Sequence, residues 1–370
     1  MTGQRITDVK VRSVPFSTDT WLDESRISTP MAPYPVFAER RSSWRGPGGD
    51  LVWLYLGTDD PAVFGIGQTR GGRVVEAVLD HLVPLLQHVD TGAPADVAEQ
   101  LRRAAEPYAA GGAAAMAVSA VELALWDLAA RDLGAPLCRL LGGRPGPLPY
   151  YVTAAHPSAL DDVDDVDDDL LAGAGYVKVP MAYGPADGPA RRDDNVERLR
   201  AVRRRVPPHV PLAVDCFMSW DVPYTVRFAA ATADLDLGWI EEPLPAHDLA
   251  GLTELRARLS PVLVAAGEHA FGLDHGLRLL DGRCVDVLQV DVTWCGGLGV
   301  ARTLGALAAH RGVTFAPHNA AMHPWALHLL SALGPGVLAE VLVGAGTPAA
   351  VPEVADAPGA GTDRRAAGFG

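Results

Sequence analysis

The chain opens on alternating polar and apolar residues, "RITDVKVRSVPF", which predicts a strand, and "DLVWLYLGTDDPAVFGIGQT" predicts a hairpin turning at Asp59 to Pro61. The period then changes. "GGRVVEAVLDHLVPLLQHV" and "MAVSAVELALWDLAARDLG" space their apolar residues three and four apart, so both predict helices, the second closed by Gly134 at the C-cap. Residues 1–148 are therefore expected to form an α+β unit. Beyond Pro149, short apolar runs alternate with amphipathic stretches: "YYVTAA", "YVKVP", "PLAVDCF", "GWIEEP", "VLVAAGEH", "VLQVDV" and "TFAPHN". This is a repeated β/α pattern. Strand starts recur about every 25 residues, the length of one strand, one helix and two short loops, and seven or eight such units close a barrel. In the acidic run "DDVDDVDDDL", Asp161 to Leu170, the residues Val163, Val166 and Leu170 fall on one helical face, which predicts a solvated barrel helix and not a metal loop.

At 370 residues the chain exceeds one typical core, in keeping with a barrel plus an added domain. With 48% hydrophobic and 21% charged residues, and no apolar run expected to reach the ~18 residues of a membrane span, the reading is a soluble protein. The N-terminus shows no secretory pattern, so cytoplasmic residence is expected. A net charge of −14 argues against nucleic acid and anionic membranes and leaves a small molecule as the expected partner. Cys138, Cys216, Cys284 and Cys295 form no C-x-x-C pair and read as reduced core thiols.

Charged residues fall at regular places on this pattern. Lys178 ends the second unit, Asp215 the third, Glu241 the fourth, Glu268 the fifth, Asp291 the sixth, His318 the seventh and Glu340 the eighth. From Asp215 onward the gaps are 26, 27, 23, 27 and 22 residues. Each gap is one β/α unit, so these side chains are expected together at the C-terminal mouth of the barrel, where barrel enzymes build their sites. Asp215, Glu241 and Glu268 are three carboxylates that need a cation, and hard oxygen donors suit Mg²⁺. The next residue, Glu242, is expected to face away because strand residues alternate, although the choice between the two glutamates stays open. His318 next to Asp291 reads as a general base whose tautomer is held by a carboxylate. His81, His88 and His310, with no such partner, read as core histidines.

These motifs together resemble the enolase superfamily, mandelate racemase subgroup, over essentially the whole chain. "VELALWDLAARDLGAPLCRLLGG" (Val121 to Gly143) resembles the helix closing the family's capping domain, "DVTWCGGL" (Asp291 to Leu298) its sixth-strand loop, and "PHN" (Pro317 to Asn319) its histidine strand. Within the subgroup, "ISTPMAPY" (Ile27 to Tyr34), "KVPMAYGPADG" (Lys178 to Gly188) and "AVDCFMSWDV" (Ala213 to Val222) are similar to acid-sugar dehydratases, L-rhamnonate dehydratase among them. The resemblance implies an α/β fold, a (β/α)7β modified TIM barrel with an N-terminal α+β capping domain. The expected limits are 1–148 for the cap, closed by the tail 345–370, and 149–344 for the barrel. It also implies Mg²⁺ and removal of a proton α to a carboxylate. A homo-oligomer is expected.

On the family pattern Lys178 is the first of a lysine pair and binds the substrate carboxylate, while the second position, the opposite-face base, is Pro180. Racemisation needs a proton carrier on each face, whereas dehydration runs with His318 alone. The expected activity is a hydro-lyase reaction on a sugar acid, giving a 2-keto-3-deoxy acid. An epimerase or cycloisomerase on the same scaffold, and an inactive barrel serving as a binding protein, are the alternatives. Substrate hydroxyls are expected to meet polar and aromatic residues of the capping loop: Trp21, Arg26, Tyr34, Arg41 and Trp44. Arg41 matches a substrate-binding arginine of the family, and Arg26 stands where rhamnonate dehydratases carry histidine. Glu340 is expected to hydrogen-bond a carboxylate oxygen, with an ordinary strand-end charge as the other reading. His269 is expected to touch substrate or to support the metal.

Overall fold

The computed structural model describes residues 4–15, 27–34, 49–108, 111–155, 163–344 and 349–369. The first element is an antiparallel sheet, β1 (Ile6–Val14), β2 (Leu51–Thr58) and β3 (Phe64–Thr69), with the expected turn between β2 and β3. One face of β2, through Val52, Leu54 and Leu56, is fully buried, as a half-buried strand requires. It packs against helices Gly72–Leu82, Pro94–Ala105 and Ala113–Asp132. The first helix stops short of its apolar pattern and continues as a 3-10 turn, Val83–His88, because Pro84 has no amide to donate. Gly67 is required where β3 crosses the long helix, since a Cβ there would lie 1.8 Å from the Ala120 carbonyl oxygen.

Ala113–Asp132 corrects one expectation. At 20 residues and a mean hydropathy of 1.5 it is long and apolar enough to cross a membrane. Buried faces explain the composition: the helix fills the space between the sheet and the barrel, and its charged residues Glu122 and Asp127 are themselves buried and bonded.

Eight parallel strands follow, β5 (Tyr150–Ala154), β6 (Val177–Pro180), β7 (Leu212–Asp215), β8 (Leu237–Glu241), β9 (Leu263–Ala266), β10 (Val287–Leu288), β11 (Thr314–Phe315) and β12 (Ala339–Val343). They pair in that order, β12 pairs back onto β5, and a bridge from Phe315 to Val337 completes the ring. Among the described residues at least one helix lies between each strand and the next, which makes the (β/α)7β barrel that the resemblance implies. Period-two alternation sorts the strand residues. Tyr151, Ala213, Trp239, Ala265, Val287 and Ala316 fill the interior, two large aromatics offset by small neighbours, while Val152, Val214, Ile240 and Val264 pack outward on the helices.

The acidic run is helical in two pieces. Val163, Val166 and Leu170 are buried as expected, but Asp167 caps a new helix, Asp168–Gly173, through the amides of Asp169 and Leu170. All four cysteines are free and buried. His81 and His310 are on the surface, contrary to the core reading, while the His88 side chain lies outside the described residues. The chain's last segment folds back: β13 (Glu353–Val354) pairs with β4 (Gly146–Pro147), and Asp127 accepts from the Ala360 amide at 2.7 Å and the Thr362 hydroxyl at 2.6 Å.

Candidate active site

The barrel's C-terminal mouth is lined by strand-end charges. Lys178 is buried, paired in register with Thr153 on one side and Ala213 on the other. Its ammonium lies 2.5 Å from Glu241 Oε1, 2.8 Å from Glu340 Oε1 and 3.9 Å from Asp215 Oδ2, and 5.6 Å from the centre of the Tyr151 ring. Burial alone would lower its pKa, but Glu241, Glu340, Tyr151 and Asp215 outweigh that and hold it well above the ordinary value. Lys178 is charged.

Asp215 and Glu241 are register partners at the ends of β7 and β8, and Glu268 follows β9 by two residues. Burial, opposed by Lys178, pushes Asp215 up to about 6 and Glu241 up to about 7. Burial also raises Glu268 to about 7, with His318 and His269 opposing. Glu241 is engaged on three sides, by Lys178, by Gln289 Nε2 at 2.6 Å and by Trp239 Nε1 at 3.2 Å. Glu242 departs from the alternation. Its φ of 38° breaks the strand, so its side chain is not turned outward but is buried against His269 Nδ1 at 2.8 Å. Among the described residues, Glu242, Glu268 and His269 have ligand atoms all within 4.8 Å of one another. Glu242 and Glu268 raise His269 to about 9 against its burial.

Next to Glu268, His318 Nδ1 bonds Asp291 Oδ2 at 2.9 Å, and Asp291 Oδ1 accepts from the amide and hydroxyl of Thr293, both at 2.7 Å. With Nδ1 donating to the carboxylate, Nε2 is the nitrogen left to take a proton. It lies 3.5 Å from Glu268 Oε2 and 3.1 Å from Asn319 Nδ2. Glu340 accepts from Lys178, from Thr153 Oγ1 at 2.7 Å and from the Asn319 amide at 2.6 Å. Against burial, Lys178 first, then the nearby His318 and the Asn319 amide, lower its pKa to about 2.

Of the expected substrate readers, Trp21, Arg26, Arg41 and Trp44 lie outside the described residues. Tyr34 is exposed, at the end of a described stretch that the barrel anchors through Ser28, whose amide donates to the Met181 carbonyl at 2.9 Å and whose hydroxyl meets Ser219 Oγ at 2.7 Å. Sequence reasoning passed over several neighbours. Trp239 and Gln289 hold Glu241 from the barrel floor, Gln289 also donating to the Tyr151 hydroxyl, and the period-two rule was the signal, since all three stand two places before a strand-end polar group. Trp294 lies 5.2 Å from the His318 ring and 5.8 Å from the His269 ring. Arg70, just beyond β3, is lowered in pKa by burial while Asp291 and Glu268 act on it in the opposite sense. Nothing in its sequence context marked it.

A buried ammonium, clustered carboxylates and a carboxylate-held imidazole facing one barrel mouth define a class of protein: a barrel enzyme that gathers acid–base and cation-binding groups at its strand ends. Comparison with known proteins agrees. A model described as Mandelate racemase / muconate lactonizing enzyme, N-terminal domain, matches residues 50–142, and one described as Enolase C-terminal domain-like matches residues 162–361. The chain belongs to the enolase superfamily, in its mandelate racemase subgroup. An L-rhamnonate dehydratase from Saccharopolyspora erythraea is 34% identical over 313 residues, 83% of this chain and 77% of that protein. A crystal structure of rhamnonate dehydratase from Gibberella zeae complexed with Mg is 27% identical with a TM-score of 0.85, covering 100% of this chain and 96% of that one. An L-talarate/galactarate dehydratase from Salmonella typhimurium LT2 shares the fold at 24% identity and a TM-score of 0.79, covering 100% of this chain and 92% of that one.

Proposed function

We propose that this protein is a Mg²⁺-dependent sugar-acid dehydratase that works from one face of its substrate, with His318 as its base. The observation that carries the one-face reading is the pairing of the Asp291-held His318 with Pro180, which stands register-paired to Asp215 and brings no proton carrier. The name of the relatives supports the substrate class, a sugar acid of the L-rhamnonate kind.

The donor set fits the ion. Asp215, half-buried, and Glu241 and Glu268, buried, offer oxygen donors whose carboxyls desolvation pushes upward, and a divalent cation of hard character would relieve that cost. Glu242 and His269, bonded to each other at 2.8 Å, stand beside Glu268, whose Oε1 lies 3.6 Å from His269 Nδ1. When bound, Mg²⁺ supplies positive charge beside the substrate carboxylate. Removing the α-proton builds a second negative charge on that carboxylate, and Lys178, held charged, stabilises it as it forms. His318 Nε2 takes the α-proton, and the resulting imidazolium returns it to the departing β-hydroxyl, so one residue is base and then acid. Glu340, with its oxygens occupied by donors, fixes the ammonium's place. Residues 1–148 with the tail 345–370 serve as the cap over the mouth formed by 149–344.

The test is incubation of the enzyme with Mg²⁺ and a panel of aldonates and aldarates in D₂O. Formation of a 2-keto-3-deoxy acid is expected. Epimerised or deuterium-exchanged starting acid without that product would overturn the one-face dehydration.

A further inference from the structure

The base's supporting carboxylate is itself held from the other domain. Asp291 opens a loop, residues 291–297, between β10 and the helix Leu298–His310. The cap grips that loop at three points and the start of the helix after it at a fourth. Thr69, the fully buried last residue of β3, donates its hydroxyl to the Thr293 carbonyl at 2.7 Å. Ser119 Oγ accepts from the Gly296 amide at 2.9 Å, and Glu122 accepts from the Gly299 amide at 3.0 Å. Trp294 buries its indole in the cap's apolar cluster. From the barrel side, the Gly272 amide bonds the Cys295 carbonyl at 3.0 Å. Gly297 adopts a φ of 96°, and a Cβ there would stand 1.8 Å from Glu122 Oε2, so the close approach of cap and loop needs glycine.

These contacts differ in what they reach. Ser119 holds Gly296 at the distal end of the loop, and Glu122 holds Gly299 just beyond it. Among the described residues of the cap, Thr69 is the one bonded to residue 293, whose amide and hydroxyl both grip Asp291 Oδ1, while Oδ2 bonds His318 and has His323 Nε2 at 3.8 Å. We propose that Thr69 is a positioning residue for proton abstraction, acting from the cap through Thr293 and Asp291 to hold the His318 ring. Small errors in the placing of a reacting group cost rate more than binding, so the cap contributes to turnover as well as to substrate enclosure.

The proposal rests on the dehydratase reading and is tested on the full-length protein with saturating Mg²⁺. Thr69→Val keeps the shape of the side chain and removes the donor. A fall in kcat of about 10- to 30-fold is expected with KM within about 2-fold, by analogy with the loss of outer partners of reactive groups. Thr69→Ser should recover kcat to within about 3-fold. Thr293→Val should behave like Thr69→Val, and the two together should be no worse than the worse single change. Ser119→Ala is expected to lower Tm with kcat within about 3-fold. The low-field proton resonance of His318 Nδ1, identified by its loss in His318→Asn, should shift or broaden in Thr69→Val and not in Ser119→Ala; this readout needs no substrate. Thr69→Val with kcat and resonance unchanged overturns the proposal, as does a change confined to KM or an equal kcat loss in Ser119→Ala. A wild-type protein that turns over no sugar acid instead overturns the dehydratase reading.

Discussion

Lys178 is one of two lysines in a chain whose other 29 basic residues are arginine. Its surroundings explain the exception. Three carboxylates and a tyrosine ring close on a single buried nitrogen, a space for a compact point charge and not for a planar fork. His318 has the complementary design, one nitrogen spent on Asp291 and the other facing Glu268. Replacing it by asparagine should lower kcat by about 10³-fold or more, in the range of lost general acid–base catalysis, while Mg²⁺ still raises Tm. Steady-state assays and thermal shift on one preparation check both halves; near-normal turnover would remove His318 from the role of base. Charged residues at intervals of one β/α unit were legible in the sequence because the period of the fold is written in the spacing. The direction of Glu242 was not, because a single left-handed residue at the end of β8 cancels the alternation that governs the strand.

At the level of elements, apolar periodicity located strands and helices well wherever one face is buried. It failed at breaks set by single residues: Pro84 ends a helix inside its own pattern, and Asp167 starts a new helix in the middle of an apparently continuous one. Helix Pro324–Leu333 shows what pattern alone does not reveal. His328 is buried on it, and its Nδ1 accepts the Cys138 amide at 2.9 Å at the start of helix Leu137–Leu141. Burial pushes this imidazole down from 6.5 to about 4. The sign follows: between those values the unfolded chain takes up a proton that the fold refuses. The contribution is complete above about pH 6.5 and is lost progressively toward pH 4, on the order of 3 kcal/mol in all. Denaturant unfolding at pH 7.0 and 5.0 should show a loss of stability that shrinks in His328→Gln; an unchanged pH slope in that variant would assign the loss to other groups.

The whole molecule is organised around a seam. Thr69, Ser119, Glu122 and Trp294 join the α+β layer to the barrel loop that carries Asp291, and the carboxylate cluster lies on the barrel side of the same mouth. An ion held by that cluster would tie stability to metal. Removing divalent metal with EDTA should lower Tm, and readdition of Mg²⁺ should restore it by several degrees, since an ion that binds only the folded site adds its binding free energy to stability. A thermal-shift titration measures this directly; a Tm indifferent to metal would speak for the binding-protein alternative. The seam was beyond sequence reasoning, because its hydrogen bonds link residues more than 170 positions apart through serine, threonine and glutamate side chains of no unusual composition.

The folded-back tail has a consequence for how the chain is made. Asp127 is buried early in the sequence, yet two of its partners are the Ala360 amide and the Thr362 hydroxyl, and Arg12 on β1 bonds the Gly368 carbonyl. Those partners leave the ribosome only after every barrel strand has been synthesised. The layer built on β1–β3 is thus completed by residues 360–368, and until they are made Asp127 has only the Ile66 amide and Arg131 of the four partners it has in the fold.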